Sequence, residues 1–319
     1  MKRMLAGFLS YVAAPGPRLV AAFVVSSWTV AAHAEAVAPA RLSVVTTIAP
    51  IAMIVREIGG DHLDATCLVS GSTDVHTYEP APSDLVRIAS ADLIVSIGGD
   101  LDNWLEKLVA GKKPEAVVIR LLDDGVAPTA SEDPHAWLDP VWVRDRALAS
   151  LVRGLSAIDA ATAPQYAAAA RRVAGDLTNL DEDVREILSH AAVRAFVAFH
   201  PAWNWFAARY DLHPVGAIEE GGGVGISAAR LAAVLDGARK EKVSAILVEP
   251  QMDPRMARTV AADIGADIVQ VDPLGDPASA DRATYRDLMI FNARAFARAL
   301  GIAPSGAATG SLPAAPDVH

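Results

Sequence analysis

The stretch TAPQYAAAARRVAGDLTNLDEDVREILSHA, residues 162–191, decides how the chain is organised. It follows a helical pattern over about 30 residues, and Gly175 is the only glycine within it. At a rise of 1.5 Å per residue, an unbroken helix of this length would span roughly 40 Å. No cluster of proline or glycine residues breaks the stretch, so it is not a flexible linker. We therefore predict one long, rigid helix, residues 161–192, that joins two halves of the chain.

Short apolar runs alternate with helical segments on both sides of this helix. The runs predict eight strands, at residues 42–47, 63–69, 93–98, 116–121, 195–200, 213–218, 245–250 and 267–272. Helices are predicted at residues 51–60, 82–91, 101–111, 141–158, 226–241, 254–265 and 283–301. The first three carry apolar residues at i, i+3 and i+4, which is typical of amphipathic helices. Strand–helix–strand units at this spacing predict mainly parallel sheets. The expected fold class is α/β, with two Rossmann-like βα lobes at residues 35–160 and 193–302.

The two ends of the chain differ from the lobes. Lys2, Arg3 and Arg18 precede the apolar run LVAAFVVSSWTVAAHA, which ends in a small–x–small pattern at Ala34. This order predicts a secretory signal peptide over residues 1–34. A membrane anchor is the alternative, but the apolar part is shorter than the roughly 20 residues that a spanning helix needs. Residues 303–319 are small and polar, and we expect a disordered tail there.

The charge and the cysteine content exclude several classes of function. The chain has a formal net charge of -10, and removal of residues 1–34, which hold three basic residues and no acidic one, makes it -13. Such an acidic surface argues against nucleic acid or anionic lipid as a partner and is compatible with a cationic ligand. Cys67 is the only cysteine, so an internal disulfide and a cysteine-based zinc site are excluded.

Four residues with metal-binding side chains follow predicted strands, where open parallel sheets bind their ligands. His76 lies in GSTDVHTYEP after the second strand, and His135 lies in SEDPHAWLDP after the fourth. His200 ends the run AFVAFH, and Asp272 ends the run DIVQVD. Two of the four come from each half, so they could converge in the cleft between the lobes. Three imidazoles and one carboxylate suit tetrahedral Zn²⁺, whereas Mn²⁺ usually takes more oxygen ligands.

The same residues also have ordinary roles that spacing alone does not exclude. His200 could be a hydrogen-bonded core residue, and Asp272 could cap the turn that follows its strand. His76 and His135 could be surface residues of their loops, although Pro134 predicts a stiff, non-helical corner for His135. The glycine-rich stretch IEEGGGVGIS does not have the spacing of a nucleotide-binding loop. Residues 219–226 are more plausibly a mobile loop with a glutamate available as an oxygen ligand.

Four segments together resemble the periplasmic solute-binding proteins of zinc and manganese ABC importers. They are GSTDVHTYEPAPSDL, EDPHAWLDP, FHPAWNWFAARYDL and VEPQMDP with the later VDPLG, and the resemblance covers nearly all of residues 42–302. It implies that His76, His135 and His200 are histidine ligands and that Asp272 is the carboxylate ligand. Manganese members usually lack the third histidine and use a glutamate, so His200 favours zinc over manganese.

The resemblance also implies a function and partners. The expected function is high-affinity binding of Zn²⁺ in the periplasm and its delivery to the membrane permease of an ABC transporter. A closed site with four protein ligands binds without catalysing, so no enzyme activity is expected. Many zinc members carry a histidine-rich loop before the second ligand, whereas this chain has only DDGVAPTASED there. A periplasmic metallochaperone could therefore load the protein, which we expect to be a monomer.

Three other functions stay open from the sequence. A manganese-binding member of the same family would share the fold and most of the ligands. An exported zinc-dependent hydrolase could use the three histidines with Asp272 or a glutamate as general base. The chain contains neither H-E-x-x-H nor G-x-S-x-G, which weakens the hydrolase interpretation. A role in adhesion is neither supported nor excluded.

Overall fold

The computed structural model describes residues 41–69, 71, 73–123, 133–219 and 225–302. The predicted signal peptide and the predicted tail therefore lie outside the described residues, as do most of the glycines of the 219–226 loop. Within the described residues, no helix is both long enough and apolar enough to cross a membrane.

Two four-stranded sheets form the framework, and every strand pair in them is parallel. The first sheet has the order β2-β1-β3-β4, and the second has the order β6-β5-β7-β8. The strands are β1 (Leu42–Ile48), β2 (Leu63–Val69), β3 (Leu93–Ser96), β4 (Val117–Arg120), β5 (Ala195–Ala198), β6 (His213–Ala217), β7 (Ala245–Val248) and β8 (Asp267–Gln270). The prediction of an α/β fold with two parallel lobes is confirmed, and the two halves share the same strand order.

Helices cross over between the strands, as parallel pairing requires. They are α1 (Ala49–Gly59), α2 (Pro82–Ser90), α3 (Leu105–Val109), α4 (Pro140–Trp142), α5 (Leu148–Ile158), α6 (Ala163–Leu188), α7 (Asn204–Tyr210), α8 (Ala228–Lys240), α9 (Pro254–Ile264) and α10 (Tyr285–Ala299). A π-helical turn, Val143–Ala147, joins α4 to α5.

The long helix predicted from residues 162–191 is α6, which at 26 residues is about 39 Å long. One face of it is buried and packs on α1, α5 and α10. The buried residues recur at helical spacing: Tyr166, Ala169, Ala170, Val173, Leu177, Leu180, Val184 and Leu188. Because α1 and α5 belong to the first half and α10 to the second, α6 is packed against both lobes.

The lobes also share one buried core. A single hydrophobic cluster contains Val44 of β1, Leu177 of α6 and Phe296 of α10. Smaller clusters cover the remaining face of each sheet. A core that is continuous through both lobes opposes a large hinge motion between them, since opening would expose apolar surface to water.

Candidate metal centre

His135 lies on a corner that the local sequence makes rigid. It precedes the short 3₁₀ turn Ala136–Leu138 and is 4% exposed. The carboxylate oxygen Oδ1 of Asp133 accepts hydrogen bonds from the backbone N–H of His135, at 3.0 Å, and from its ring Nδ1, at 2.6 Å. A carboxylate only accepts, so the proton of the imidazole is on Nδ1 and the lone pair is on Nε2. Asp133 thus orients the ring and presents Nε2 as a metal-binding atom.

Contacts with the second lobe hold this corner in place. The indole N–H of Trp205 donates to the carbonyl of Asp133 at 2.9 Å, and that of Trp137 donates to the carbonyl of Pro273 at 2.8 Å. The guanidinium of Arg209 in α7 forms two hydrogen bonds of 2.8 Å with the carboxylate of Asp139. The corner belongs to the first half of the sequence, yet its partners come from the second half.

His76 and His200 reach the same place from two other elements. His76 follows β2 in a loop, where Oδ1 of Asp74 accepts the His76 backbone N–H at 2.9 Å. His200 lies two residues beyond the end of β5 and is 3% exposed. The ring Nδ1 of His200 is buried and has no hydrogen-bond partner in the described part of the chain.

The three ring nitrogens converge as metal ligands would. Nε2 of His135 lies 3.3 Å from Nε2 of His76 and 3.3 Å from Nε2 of His200. Tetrahedral bonds of about 2.0–2.1 Å separate two nitrogen ligands by about 3.3–3.4 Å, which matches this spacing. Among the described residues, these three histidines form the group of metal-capable side chains whose ligand atoms lie within 4.8 Å of one another.

The environment keeps two of the imidazoles neutral. Burial, followed by the neighbouring His135, lowers the pKa of His76 to about 4 and that of His200 to about 2. Burial disfavours the charged form of each ring, and positive charges on two adjacent rings would repel each other. A neutral imidazole is the form that binds a metal ion, so these two rings are ready to bind without losing a proton.

Asp272, the fourth predicted ligand, is not in this group. It lies just beyond β8, and Oδ1 accepts the backbone N–H groups of Leu274 and Gly275 at 3.0 Å and 2.9 Å. The guanidinium of Arg282 donates to Oδ2 at 3.0 Å, and the Asp272 side chain is 2% exposed. The structure thus brings three of the four predicted residues together, while Arg282 holds the carboxylate of Asp272.

Two residues that the sequence analysis did not single out also line the site. A cavity of about 20 Å³ is bordered by the three histidines, Trp137, Glu249 and Gln251. Glu249 and Gln251 follow β7 at its carboxyl end, in the VEPQ segment, and this position beyond a parallel strand was the signal that could have identified them. Burial raises the pKa of the Glu249 carboxyl to about 8.

The other predicted elements of the site are partly described. Glu219 is buried and pairs through its backbone with Gly225 in an isolated antiparallel bridge. Glu220 lies outside the described residues. The ring of Trp137 lies 5.1 Å from that of His135.

Comparison with known proteins shows which family the chain belongs to. Residues 44–299 match the family model described as "Zinc-uptake complex component A periplasmic". The high-affinity zinc uptake system protein ZnuA of Paracoccus denitrificans is 29% identical, over 85% of this chain and 96% of its own length. The manganese-binding lipoprotein MntA of Halalkalibacterium halodurans is 28% identical, over 81% of this chain and 88% of its own. A crystal structure of ZnuA superposes with a TM-score of 0.73 at 31% identity, covering 82% of this chain and all of the other.

Proposed function

The chain belongs to the family of periplasmic metal-binding components of ABC importers, and from this premise we propose that its cargo is Zn²⁺, which it delivers to the importer's permease. Proteins of this family carry metal ions to a transporter and are not enzymes. Relatives of similar identity are named for zinc and for manganese, so the choice of metal has to be argued from the site itself.

The observation that carries the proposal is the convergence of three Nε2 atoms, two pairs of which are 3.3 Å apart. Imidazole nitrogen suits Zn²⁺, whereas Mn²⁺ and other hard cations prefer sites rich in oxygen. The low pKa values of His76 and His200 support the neutral state that binding needs. A nitrogen-rich, buried site of tetrahedral spacing favours zinc over manganese.

Asp272 remains our predicted fourth ligand, with a condition that the structure adds. Its Oδ2 atom is 3.0 Å from Nη1 of Arg282, so a metal ion bound there would share the carboxylate with the guanidinium. A carboxylate that already has a cationic partner gains less from a metal ion than a free carboxylate would. We therefore expect Asp272 to contribute less to affinity than any of the three histidines.

The comparisons argue against the alternative of a hydrolase, because the matching family model and the zinc relative are both named for metal uptake. Export through the signal peptide at residues 1–34, a monomeric state and loading by a metallochaperone complete the proposal. The lack of histidines in DDGVAPTASED supports the last point, because the chain has no histidine-rich loop of its own there.

A competition titration tests the proposal. Metal-stripped residues 35–319 are titrated with Zn²⁺ and with Mn²⁺ against a chromophoric chelator, in the wild type, in His200→Ala and in the control His213→Ala, whose histidine is exposed. We expect one zinc ion at nanomolar strength or tighter and a clear preference over manganese. Loss of a ligand should exceed the 10–100-fold cost of an outer-sphere change, so His200→Ala should weaken zinc binding by more than about 100-fold.

The control variant His213→Ala should bind zinc with the affinity of the wild type. Manganese bound as tightly as zinc would move the function to the manganese class. No effect of His200→Ala would mean that the three histidines are not the site.

A further inference from the structure

Two of the three histidines are held by the second lobe, although only one of them belongs to it in sequence. His200 lies two residues beyond the end of β5. His135 comes from the first half, but its corner is bonded to the second lobe, where the hydroxyl of Tyr285 in α10 also donates to the carbonyl of Trp137 at 2.7 Å. His76 is therefore the histidine whose position depends mainly on contacts within the first lobe.

The peptide group that joins Val75 to His76 is hydrogen-bonded at both of its polar atoms. Oδ1 of Asp74 accepts its N–H at 2.9 Å, and the indole N–H of Trp104 donates to its carbonyl at 3.2 Å. Asp74 belongs to the same loop and moves with it, whereas Trp104 lies 29 residues away from Val75 in the chain. The bond from Trp104 therefore ties the peptide group before His76 to the body of the lobe.

Trp104 itself stands on a rigid support. The carboxylate of Asp102, two residues earlier, accepts the hydroxyl of Thr47 in β1 at 2.7 Å. It also accepts the backbone N–H groups of Ile97 and Gly98, just after β3, at 2.9 Å and 3.0 Å. Asp102 is buried, so water competes little for these bonds. The turn that carries Trp104 is thus fixed to two neighbouring strands of the first sheet.

A second contact joins Trp104 to the same loop on the other side of His76. The ring of Tyr78 lies 4.8 Å from that of Trp104, within the range of a favourable aromatic pair. The hydroxyl of Tyr78 donates to Oδ2 of the buried Asp84 in α2 at 2.6 Å, which holds the ring in place. Trp104 thus contacts the loop at Val75 through its N–H and at Tyr78 through its ring.

We propose that Trp104 is a positioning residue that holds His76 in place and thereby slows the release of the bound metal ion. The inference rests on the proposed function, because it takes the three histidines as ligands. His135 and His200 are fixed to the second lobe, so the ion leaves when the loop of residues 73–81 withdraws His76. The rate of such a local opening depends on the few contacts that close it, and Trp104 makes two of them.

The test measures the rate of Zn²⁺ release by stopped flow, with an excess of a chromophoric chelator that captures the ion as it leaves the metal-loaded protein. Trp104→Phe removes the indole N–H and keeps an aromatic ring beside Tyr78. Tyr78→Phe removes the hydroxyl that reaches Asp84. Tyr166→Phe is the matched control, since the hydroxyl of Tyr166 also donates to a carboxylate, that of Asp159, but at the junction of α5 and α6.

We expect Trp104→Phe to release zinc about 3–10-fold faster than the wild type, the range that corresponds to the loss of one hydrogen bond. Tyr78→Phe should change the rate in the same direction, because the ring that packs on Trp104 loses its fixed place. Tyr166→Phe should release zinc at the wild-type rate, although it also loses a bond between a tyrosine and a carboxylate. Urea unfolding of the metal-free proteins compares the stability of the variants.

Two results would overturn the inference and leave zinc binding by the histidines intact. One is an unchanged release rate in Trp104→Phe. The other is an equal increase in Tyr166→Phe, which would mean that release follows the overall stability of the fold and not this contact. Failure of the proposed function would look different, because the wild type would then hold no zinc to release or would hold it as tightly in His200→Ala.

Discussion

Replacement of Asp133 by asparagine should weaken zinc binding without disturbing the fold. The Oδ1 atom of Asp133 accepts both from the backbone N–H of His135 and from its ring Nδ1. Asparagine keeps the shape and one oxygen, but it is neutral. It is a weaker acceptor for the ring N–H, so Nε2 of His135 becomes a poorer electron donor to the metal. Should the amide N–H₂ face the ring instead, the ring proton has to move to Nε2 and block the ligand atom.

The size of the expected loss in zinc affinity follows from the hydrogen bond between Asp133 and His135. The Nδ1–Oδ1 distance is 2.6 Å, and the two side chains are 5% and 10% exposed, so water screens the interaction little. Loss of such an outer-sphere partner costs about 10–100-fold in metal affinity. That range is about 1.4–2.7 kcal/mol of binding free energy, and the burial places Asp133→Asn in its upper half.

Asp74 supplies a matched control. It lies two residues before His76 and accepts the backbone N–H of that residue at 2.9 Å. Its other oxygen accepts from the hydroxyl of Thr77 and not from an imidazole. Asp74→Asn removes the same charge from the same neighbourhood. Its affinity should change by no more than about 5-fold, which corresponds to the roughly 1 kcal/mol that an incompletely buried charge contributes.

Zinc affinity is measured for both variants by competition with a chromophoric chelator at one pH and one ionic strength. Circular dichroism of the metal-free proteins confirms that each variant is folded. Equal losses in Asp133→Asn and Asp74→Asn would refute the reasoning, since they would show that only the negative charge matters and not the bond to the ring.

Three further predictions concern stability, each measured by urea unfolding of the metal-free protein. Gly154→Ala should lower the free energy of unfolding by about 1–3 kcal/mol, because the new methyl group would lie 2.3 Å from a side chain of β4. Gly175→Ala should raise it by about 0.5–1 kcal/mol, because no atom lies within 4 Å of the new methyl group and alanine favours the helix. A lower free energy of unfolding in both variants would contradict this reasoning. Arg209→Ala removes the cationic partner of the buried Asp139 carboxylate, which among the described residues keeps only the backbone N–H of Val141. The free energy of unfolding should fall by about 2 kcal/mol, less than for a fully buried pair because the arginine is 29% exposed. A loss below about 0.5 kcal/mol would mean that water screens the pair as it does at a surface. Burial lowers the pKa of His200 to about 2, so below about pH 6.5 the unfolded chain takes up a proton that the folded chain does not. As the pH decreases, His200 should therefore lower the free energy of unfolding by up to about 1.4 kcal/mol per unit, in addition to a contribution from His76. His200→Gln should reduce this slope, and an unchanged slope would disprove the assignment.

The elements that were predicted correctly are those whose pattern is local. All eight strands occur at the predicted positions. The central strands β1, β3, β5 and β7 are buried almost throughout, so they are continuous apolar segments. The edge strands β6 and β8 are exposed or half-buried, and their patterns are less apolar. The helix at residues 101–111 is shorter than predicted and has only five residues, Leu105–Val109. The Asp102 carboxylate accepts the backbone N–H groups of Ile97 and Gly98 and so holds the preceding residues in a turn. The seven residues of α7 are too few to show a helical period, and this helix was not predicted.

The sequence by itself determined the residue types that a zinc site needs and their places at the ends of parallel strands, because strand polarity puts these ends on one edge of each sheet. It could not determine which of those side chains meet, since that depends on how two lobes pack through α6 and a shared core. Only the tertiary structure placed three imidazole nitrogens together, paired Asp272 with Arg282 and turned Glu249 and Gln251 into the same cavity. Each of these contacts joins residues far apart in the chain. Their geometry is therefore set by packing, whereas the pattern of each strand and helix is set by its own residues.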